Sequence, residues 1–382
     1  MKVRQWTLAD GDSIEPVQIG LSNTPADLVL VFGSVTSFRE SHPLTDLIAA
    51  TPGNHWAGCS TAGEIAGAGV FDHSLVLTAL NFERPDSRFE LVTTRLAGMP
   101  DSHAAGRRLG EALSADGLRA VLLLGVGVAI NGSALVLGLQ DVLDKQVQIS
   151  GGLAADAGAF KQTWTLSDDG AFDDQLVAVG LYGETLLLDN SSYGGWEPFG
   201  PERKVTHCEE NVLYELDHER ALDIYKRYLG DYVKDLPGSG LLFPFEMLGP
   251  NRKSDGVIRT LLGINEADGS LTLAGDIDPD GYLKLMHAST DRLIEGAEKA
   301  ASVITGSVST QGQSVAVLVS CIGRRLVMGD RVEEELEAVV DTLGPSVVAT
   351  GFYSNGEISE AASRSECRLY NQTMTITLIG ER

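Results

Sequence analysis

"VAVLVSCIGRR" places Cys321, Gly323 and Arg324 directly after an apolar run. A thiol at a strand end beside a guanidinium can do chemistry. A nearby cation lowers a thiol pKa and makes a nucleophile or metal ligand. Arg324, or Arg325 beside it, can take a carboxylate with two parallel hydrogen bonds. Gly323 would let backbone approach a ligand closely. The bland reading of Cys321 is a small buried apolar residue.

Two further loops carry a glutamate in one shared frame. "GCSTAGEI" runs from Gly58 to Ile65 and "GFYSNGEI" from Gly351 to Ile358. Each has glycine, two residues, a hydroxylated residue, one residue, then Gly-Glu-Ile. Glu64 and Glu357, with Cys59, Ser60, Gly351, Tyr353 and Ser354 in the same loops, are candidate ligand-binding residues. Each carboxylate could receive a ligand amine, or could instead cap backbone N–H groups of its own loop.

Other patterns fail on their details. "DIDPDG" (276–281) imitates a calcium loop, but the twelfth position is His287 rather than glutamate, so a turn between strands is expected. "GVGVAING" lacks the third glycine of a dinucleotide fingerprint, and neither a P-loop nor a G-x-S-x-G elbow occurs.

Composition narrows the partners. The net charge of −24 over 382 residues argues against nucleic acid or an anionic membrane surface. The four cysteines are scattered with no C-x-x-C pair, which speaks against structural zinc or a disulfide framework. The start shows no apolar signal region, and a cytoplasmic location is expected. Residues 120–139 are free of charge, but Gly125, Gly127, Asn131, Gly132 and Ser133 interrupt them, which favours a strand, a turn and a helix start over a membrane span.

The elements that must hold these residues repeat. "DLVLVFGS", a helical stretch at 42–51 and "NHWAG" form a βαβ pattern ending in the first glutamate loop. "RAVLLLGVG", "SALVLGLQDVLDK" and "VQISGG" restart it, and "SVAVLVSC", "VEEELEAVVDTLG" and "SVVATG" run it again into the second glutamate loop. Antiparallel strands follow each time. The fold class expected is therefore α/β (mixed α+β), with mixed sheets built from βαβ pseudo-repeats. Ligands of such units gather beyond the carboxyl ends of the strands. The Gly-, Pro- and Ser-rich segment 190–204 reads as a boundary. It divides an extension at 1–26 and a module at 27–195 from a second module at 196–382.

"GCSTAGEI", "SGGLAAD", "GWEPFGP", "SCIGRR" and "GFYSNGEI…NQTMT", in this order, resemble the FIST sensory domain family, N-terminal and C-terminal modules together, from about residue 27 to 380. The resemblance implies small-ligand sensing in bacterial signal transduction. Stand-alone members include nitric-oxide-sensing haemoproteins of the NosP type, which regulate partner histidine kinases. It therefore implies a haem cofactor, a gas ligand and a kinase partner. Histidine is the usual axial ligand of such a haem. His55 and His287 are the leading candidates, with His207, Cys208 and Met286 behind them. A sibling reading keeps the sensor and replaces haem with an amino acid or another small metabolite, clamped by Glu357 and Arg324. The rival is a cysteine-dependent enzyme with Cys321 as nucleophile and Glu357 or a distant histidine as base. A scaffold without ligand is a further alternative. The expectation is that the protein is not an enzyme.

Overall fold

The computed structural model describes residues 1–39, 42–309, 312–360 and 366–382. Its first unit runs β1 (Lys2–Ala9), α1 (Glu15–Asn23), β2 (Leu28–Gly33), α2 (Val35–Arg39), α3 (His42–Ala50) and β3 (His55–Ser60). A hairpin, β4 (Glu64–Ala66) and β5 (Gly69–Phe71), leads to β6 (Ser74–Asn81). The second unit repeats this order: β7 (Arg88–Arg95), α4 (Ser102–Ala112), β8 (Leu118–Gly125), α5 (Gly132–Gln140), β9 (Gln148–Leu153), the hairpin β10 (Thr165–Ser167) and β11 (Gly170–Phe172), and β12 (Gln175–Tyr182).

The third unit opens with β13 (Leu186–Tyr193) and is then interrupted. The interruption holds β14 (Glu197–Glu209), β15 (Val212–Leu216), β16 (Glu219–Arg220), α6 (Ala221–Leu229), β17 (Phe245–Leu248), β18 (Ser254–Arg259), β19 (Leu261–Asn265), β20 (Ser270–Leu273) and β21 (Tyr282–His287). The unit resumes with α7 (Thr290–Ile304), β22 (Ser314–Cys321), α8 (Ile322–Met328), α9 (Val332–Leu343), β23 (Val347–Ser354), the hairpin β24 (Gly356–Glu360) and β25 (Cys367–Tyr370), and β26 (Met374–Glu381).

Three six-stranded sheets share one topology: β1-β6-β2-β3-β10-β11, β7-β12-β8-β9-β24-β25 and β13-β26-β22-β23-β4-β5. In each, the two strands of the βαβ unit are parallel and the others antiparallel. Each unit keeps four strands and gives its hairpin to a neighbour. The first hairpin joins the third sheet, the second joins the first, and the third joins the second. The exchange is cyclic, so the body has approximate three-fold symmetry.

The apolar runs follow from this arrangement, because a parallel strand covered on both faces must be apolar throughout. Leu30, Phe32, Leu122, Leu124, Val317 and Val319 point from the three sheets into one central core. The alternate residues face outer helices: Val29 and Val31 lie under α1 and α3, Val121 and Leu123 under α4 and α5, Leu318 under α7 and α9. The uncharged stretch at 120–139 is β8, a loop and the start of α5. Among the described residues no helix is long and apolar enough to cross a membrane.

The inserted strands form a further sheet, β18-β17-β21-β14-β15-β20-β19. Its two ends, β18 and β19, are one stretch of chain separated by Thr260 alone, so the sheet curls round into a small barrel. Leu222, Ile224, Tyr225 and Leu229 of α6 fill it.

The α/β class, mixed sheets and repeated βαβ units are as the sequence implies. The domain layout is arranged differently. Residues 1–26 are no appendage, since β1 pairs along its full length with β6. The segment at 190–204 marks where the chain leaves β13 for the barrel, and 196–382 comprises the barrel plus most of the third unit.

Candidate functional site

The two glutamate loops occupy equivalent positions, and a third loop completes the set. Gly58, Gly151 and Gly351 pair with Val31, Leu123 and Leu318 of the adjacent parallel strand. A Cβ at any of the three would lie about 2 Å from that neighbour's carbonyl oxygen, so only glycine fits. Three backbone hydrogen bonds then close a ring between units: Ala62 N to Tyr353 O (2.8 Å), Ala155 N to Ser60 O (2.9 Å) and Asn355 N to Leu153 O (3.2 Å).

The glutamates brace this ring. Glu64 accepts hydrogen bonds from Thr61 Oγ1 (2.5 Å) and from Ser74 Oγ (2.8 Å), at the start of the returning β6. Glu357 accepts from Ser354 Oγ (2.6 Å) and from the N–H and hydroxyl of Thr373 (both 3.1 Å), just before β26. In the second unit Thr165 stands at this position and its hydroxyl donates to Gln175 O (2.8 Å), at the start of β12. Both carboxylates are buried. Burial raises their pKa values, Glu64 to about 7 and Glu357 to about 8, against the pull of these donors. Every partner named is part of the protein, so both glutamates act as loop braces here. Ser60 does likewise: its hydroxyl donates to Ala155 O (2.8 Å) and accepts from Trp164 N (2.9 Å). Cys59 is buried among core residues, which pushes its thiol pKa up.

Cys321, Gly323, Arg324 and the 351–357 loop do gather at the joined ends of β22 and β23, but the space between them is filled. Arg324 is fully buried and its donors are taken. They reach Glu335 (Nη2 at 2.7 Å, Nε at 3.2 Å), Leu293 O (2.8 Å) and Gly194 O. Glu335 also accepts from Tyr353 Oη (2.7 Å) and Ser320 Oγ (3.0 Å). This network locks α8 and α9 onto the third sheet and to the chain entering the barrel. Gly323 is small because Gln372 lies against it: a Cβ would sit 2.3 Å from Gln372 Nε2. The Cys321 thiol is raised by burial and then by the Glu357 carboxylate, opposite to what a nucleophile needs. Arg325 pairs with Asp72 (2.6 Å) and Ala62 O (2.5 Å), stitching the first hairpin to the third unit. The expected clamp of Glu357 and Arg324 on a ligand therefore has no room, because both side chains are consumed in holding the fold.

The histidines fare similarly as haem ligands. His55 starts β3, is half-exposed, and binds Asp168 Oδ2 through Nδ1 (2.6 Å). His287 ends β21 with its ring edge-on to Phe199. His207 stacks on Tyr214. None of the three lines the cavities described next. Met286 is buried, and Cys208 has its thiol raised by burial. The residues present do not fit an axial haem ligand at the cavities described next.

Two adjoining cavities lie between the three-fold body and the barrel. A cleft of about 320 Å³ has α5 and β25 on one side and the ends of β17 and β18 with the 274–278 loop on the other. A second cavity of about 200 Å³ adjoins it through Asp276 and Leu369 and reaches the 127–132 loop, Phe160 and Asn355. Arg259 lines the first cleft and is only 7% exposed. Its Nε donates to Asp276 O (3.3 Å) and Nη1 to Leu369 O (3.1 Å), and Nη2 has no partner among the described residues. Burial lowers its pKa to about 10, offset in part by the Asp276 carboxylate. Ser133 Oγ, in the first turn of α5, is buried without a partner in the same cleft. Asn355 Oδ1 is likewise without a partner and lines the second cavity. In the ring Asn355 stands where the other units have Ala62 and Ala155.

Sequence reasoning missed these three residues. Arg259 had a signal, as the single charge in the apolar strand "GVIRTLL". Ser133 and Asn355 had little, since their meaning depends on neighbours distant in sequence.

Comparison with known proteins agrees with the motifs. An uncharacterized protein of Methanocaldococcus jannaschii is 34% identical over 96 residues, which is 25% of this chain and 19% of that protein's length. A crystal structure of cyanuric acid hydrolase from A. caulinodans superposes over 100% of this chain and 99% of its own with a TM-score of 0.38 and 9% identity. The FIST N domain matches residues 27–219 and the FIST C domain residues 221–360. The chain belongs to the FIST family, whose domains are associated with sensory signal transduction.

Proposed function

We propose that the protein is a small-molecule sensor whose ligand occupies the groove between the three-fold body and the barrel. The observation that carries this reading is a buried arginine, Arg259, lining a cavity, with one donor unpaired and no carboxylate bonded to it among the described residues. A buried charge whose hydrogen bonds go only to carbonyl oxygens, with no bonded counter-ion among the described residues, is costly, and ligand sites are where such groups are kept. A ligand there touches both bodies. It would shift their relative position only by binding one arrangement more tightly than another. A partner protein, in the family expectation a histidine kinase, would read that shift.

The sibling reading of an amino acid or another small metabolite suits the groove better than haem. The cavities are small, and their lining mixes apolar side chains with both signs of charge. Nitric-oxide sensing through haem is the finer reading that the NosP-type resemblance suggests, with His55 or His287 as the candidate axial ligand, although neither lines the groove. Catalysis by Cys321 is disfavoured by its raised thiol pKa. Two measurements separate these readings. Titration with haem, with and without nitric oxide, reports a shifted Soret band if haem is bound specifically. A metabolite library read by thermal shift reports stabilisation of the wild type. That stabilisation is lost in Leu137→Trp, a substitution at a half-exposed residue on the cleft wall. If library hits stabilise Leu137→Trp equally, the groove is not the site.

A further inference from the structure

The polar groups around the groove limit what can enter it, and the following rests on the groove being the ligand site. The start of α5 in the second unit borders both cavities, through Ser133 in the first and Asn131 and Gly132 in the second. Asn131 caps α5 by accepting a hydrogen bond from Ala134 N (3.0 Å). Ser133, in the first turn, lines the cleft, and its buried hydroxyl has no partner. The N-terminal turn of a helix favours negative charge. Arg259 enters from the barrel side, 93% buried, with Nη2 unpaired among the described residues. Gly275 packs against it so closely that a Cβ would lie 2.8 Å from Nε, which fixes the guanidinium in place. A buried guanidinium, a free hydroxyl and a helix start in one cleft form a receptor for an oxyanion.

The remaining groups set the other end. Asp276 borders both cavities, and Asn355 Oδ1 waits beyond it as an unmatched acceptor. Acceptors there call for a donor, and the carboxylates of Asp276, Asp278 and Glu366, which outnumber Arg368 on the cleft lining, oppose a second anionic group. Leu369 and Val136 supply an apolar stretch near the head site.

We infer that the groove binds a small organic anion whose single carboxylate or phosphate head is held by Arg259 and Ser133, and whose far end donates a hydrogen bond toward Asp276 and Asn355.

The test titrates the full chain at constant ionic strength with butyrate, inorganic phosphate, butylamine and γ-aminobutyrate, reading thermal midpoint and Arg side-chain ¹⁵N signals. Saturable stabilisation by butyrate assigns a carboxylate head, and by phosphate a phosphate head. γ-Aminobutyrate should bind more tightly than butyrate, and butylamine should not saturate. Arg259→Met should weaken the anion response about tenfold or more, as expected for loss of a hydrogen bond to a charged group. Should Arg259→Met fail to fold, Ser133→Ala must still weaken the response several-fold. An anion response unchanged in both variants, or no saturable response to either anion, overturns the proposal. A neutral library compound that stabilises wild type and Arg259→Met but not Leu137→Trp overturns the anion class and leaves the sensor groove standing. A library with no compound sensitive to Leu137→Trp removes the groove itself.

Discussion

Glu357 illustrates how a residue type that looks functional is used for structure. Its carboxyl titrates near 8 in the fold because burial penalises the charge. An unfolded glutamate titrates near 4.3. Between these values the folded chain holds a proton that the unfolded chain releases, so stability is greatest below about pH 4 from this group and falls as pH rises through 8. Glu64, at about 7, acts in the same direction. Urea unfolding at pH 5 and pH 8 should show the wild type losing more stability over that interval than Glu357→Gln. The difference should be a few kcal/mol at most, at about 1.4 kcal/mol per pKa unit. Equal slopes would mean that the carboxylate stays charged on its three donors. Arg324 makes the second residue-scale case. Arg324→Met removes one partner of the buried Arg324–Glu335 ion pair, and should cost about 3–5 kcal/mol. Arg324→Met with Glu335→Leu should regain part of that. A variant at Arg324 that kept full stability but lost ligand response would restore it as a ligand anchor.

At the scale of elements, the β2–β3, β8–β9 and β22–β23 pairs are held at one shared glycine. Gly351→Ala would force a Cβ to 1.9 Å from Leu318 O at a φ of +153°. Strand β23 would have to shift, at a cost of about 3 kcal/mol. Gly58→Ala meets the carbonyl oxygen of Val31 at 2.0 Å and should cost a similar amount. Gly306→Ala has nothing within 4 Å and serves as the neutral control. Thermal midpoints of the three variants give the comparison, and a tolerated Gly351→Ala would remove close strand approach as the reason for the repeated glycine.

At the scale of the molecule, hairpin exchange ties each unit to the next, whereas the barrel is a single insertion between β13 and α7. Its entry and exit lie together: Gly195 packs against Arg292 O. Replacing residues 197–287 with a short Gly-Ser linker should leave the three-sheet body folded, with a cooperative melt, and abolish any ligand response. The 194–196 segment is kept because Gly194 O receives Arg324, and Trp196 Nε1 donates to Gln372 O (2.8 Å). A single excised unit, such as residues 1–81, should not fold, because its sheet lacks the hairpin of the second unit and its own hairpin lacks a sheet. A body that fails to fold without the barrel would show that the two share one core.

The sequence by itself determined the α/β class, the βαβ units and the equivalence of the two Gly-Glu-Ile loops. All three are written in local period and in repeated spacing, which survive without knowledge of partners. The Gly-, Pro- and Ser-rich stretch at 190–204, read as a boundary between two modules, lies where the chain passes from β13 to β14. The tertiary structure alone decided that the third member of the ring is "SGGLAAD", that hairpins pass to neighbouring sheets, and that the barrel interrupts the third unit. Exchange between sheets depends on contacts far apart in the chain, and no local pattern encodes them. The same reason separates the residues that looked chemical from those facing the groove. Cys321, Arg324, Glu64 and Glu357 carry reactive or charged groups, but burial and partners drawn from distant segments commit them to the fold. Arg259, Ser133 and Asn355 look ordinary in sequence. They become candidates because, among the described residues, packing leaves one polar atom of each without a partner, in side chains that line the space between two bodies.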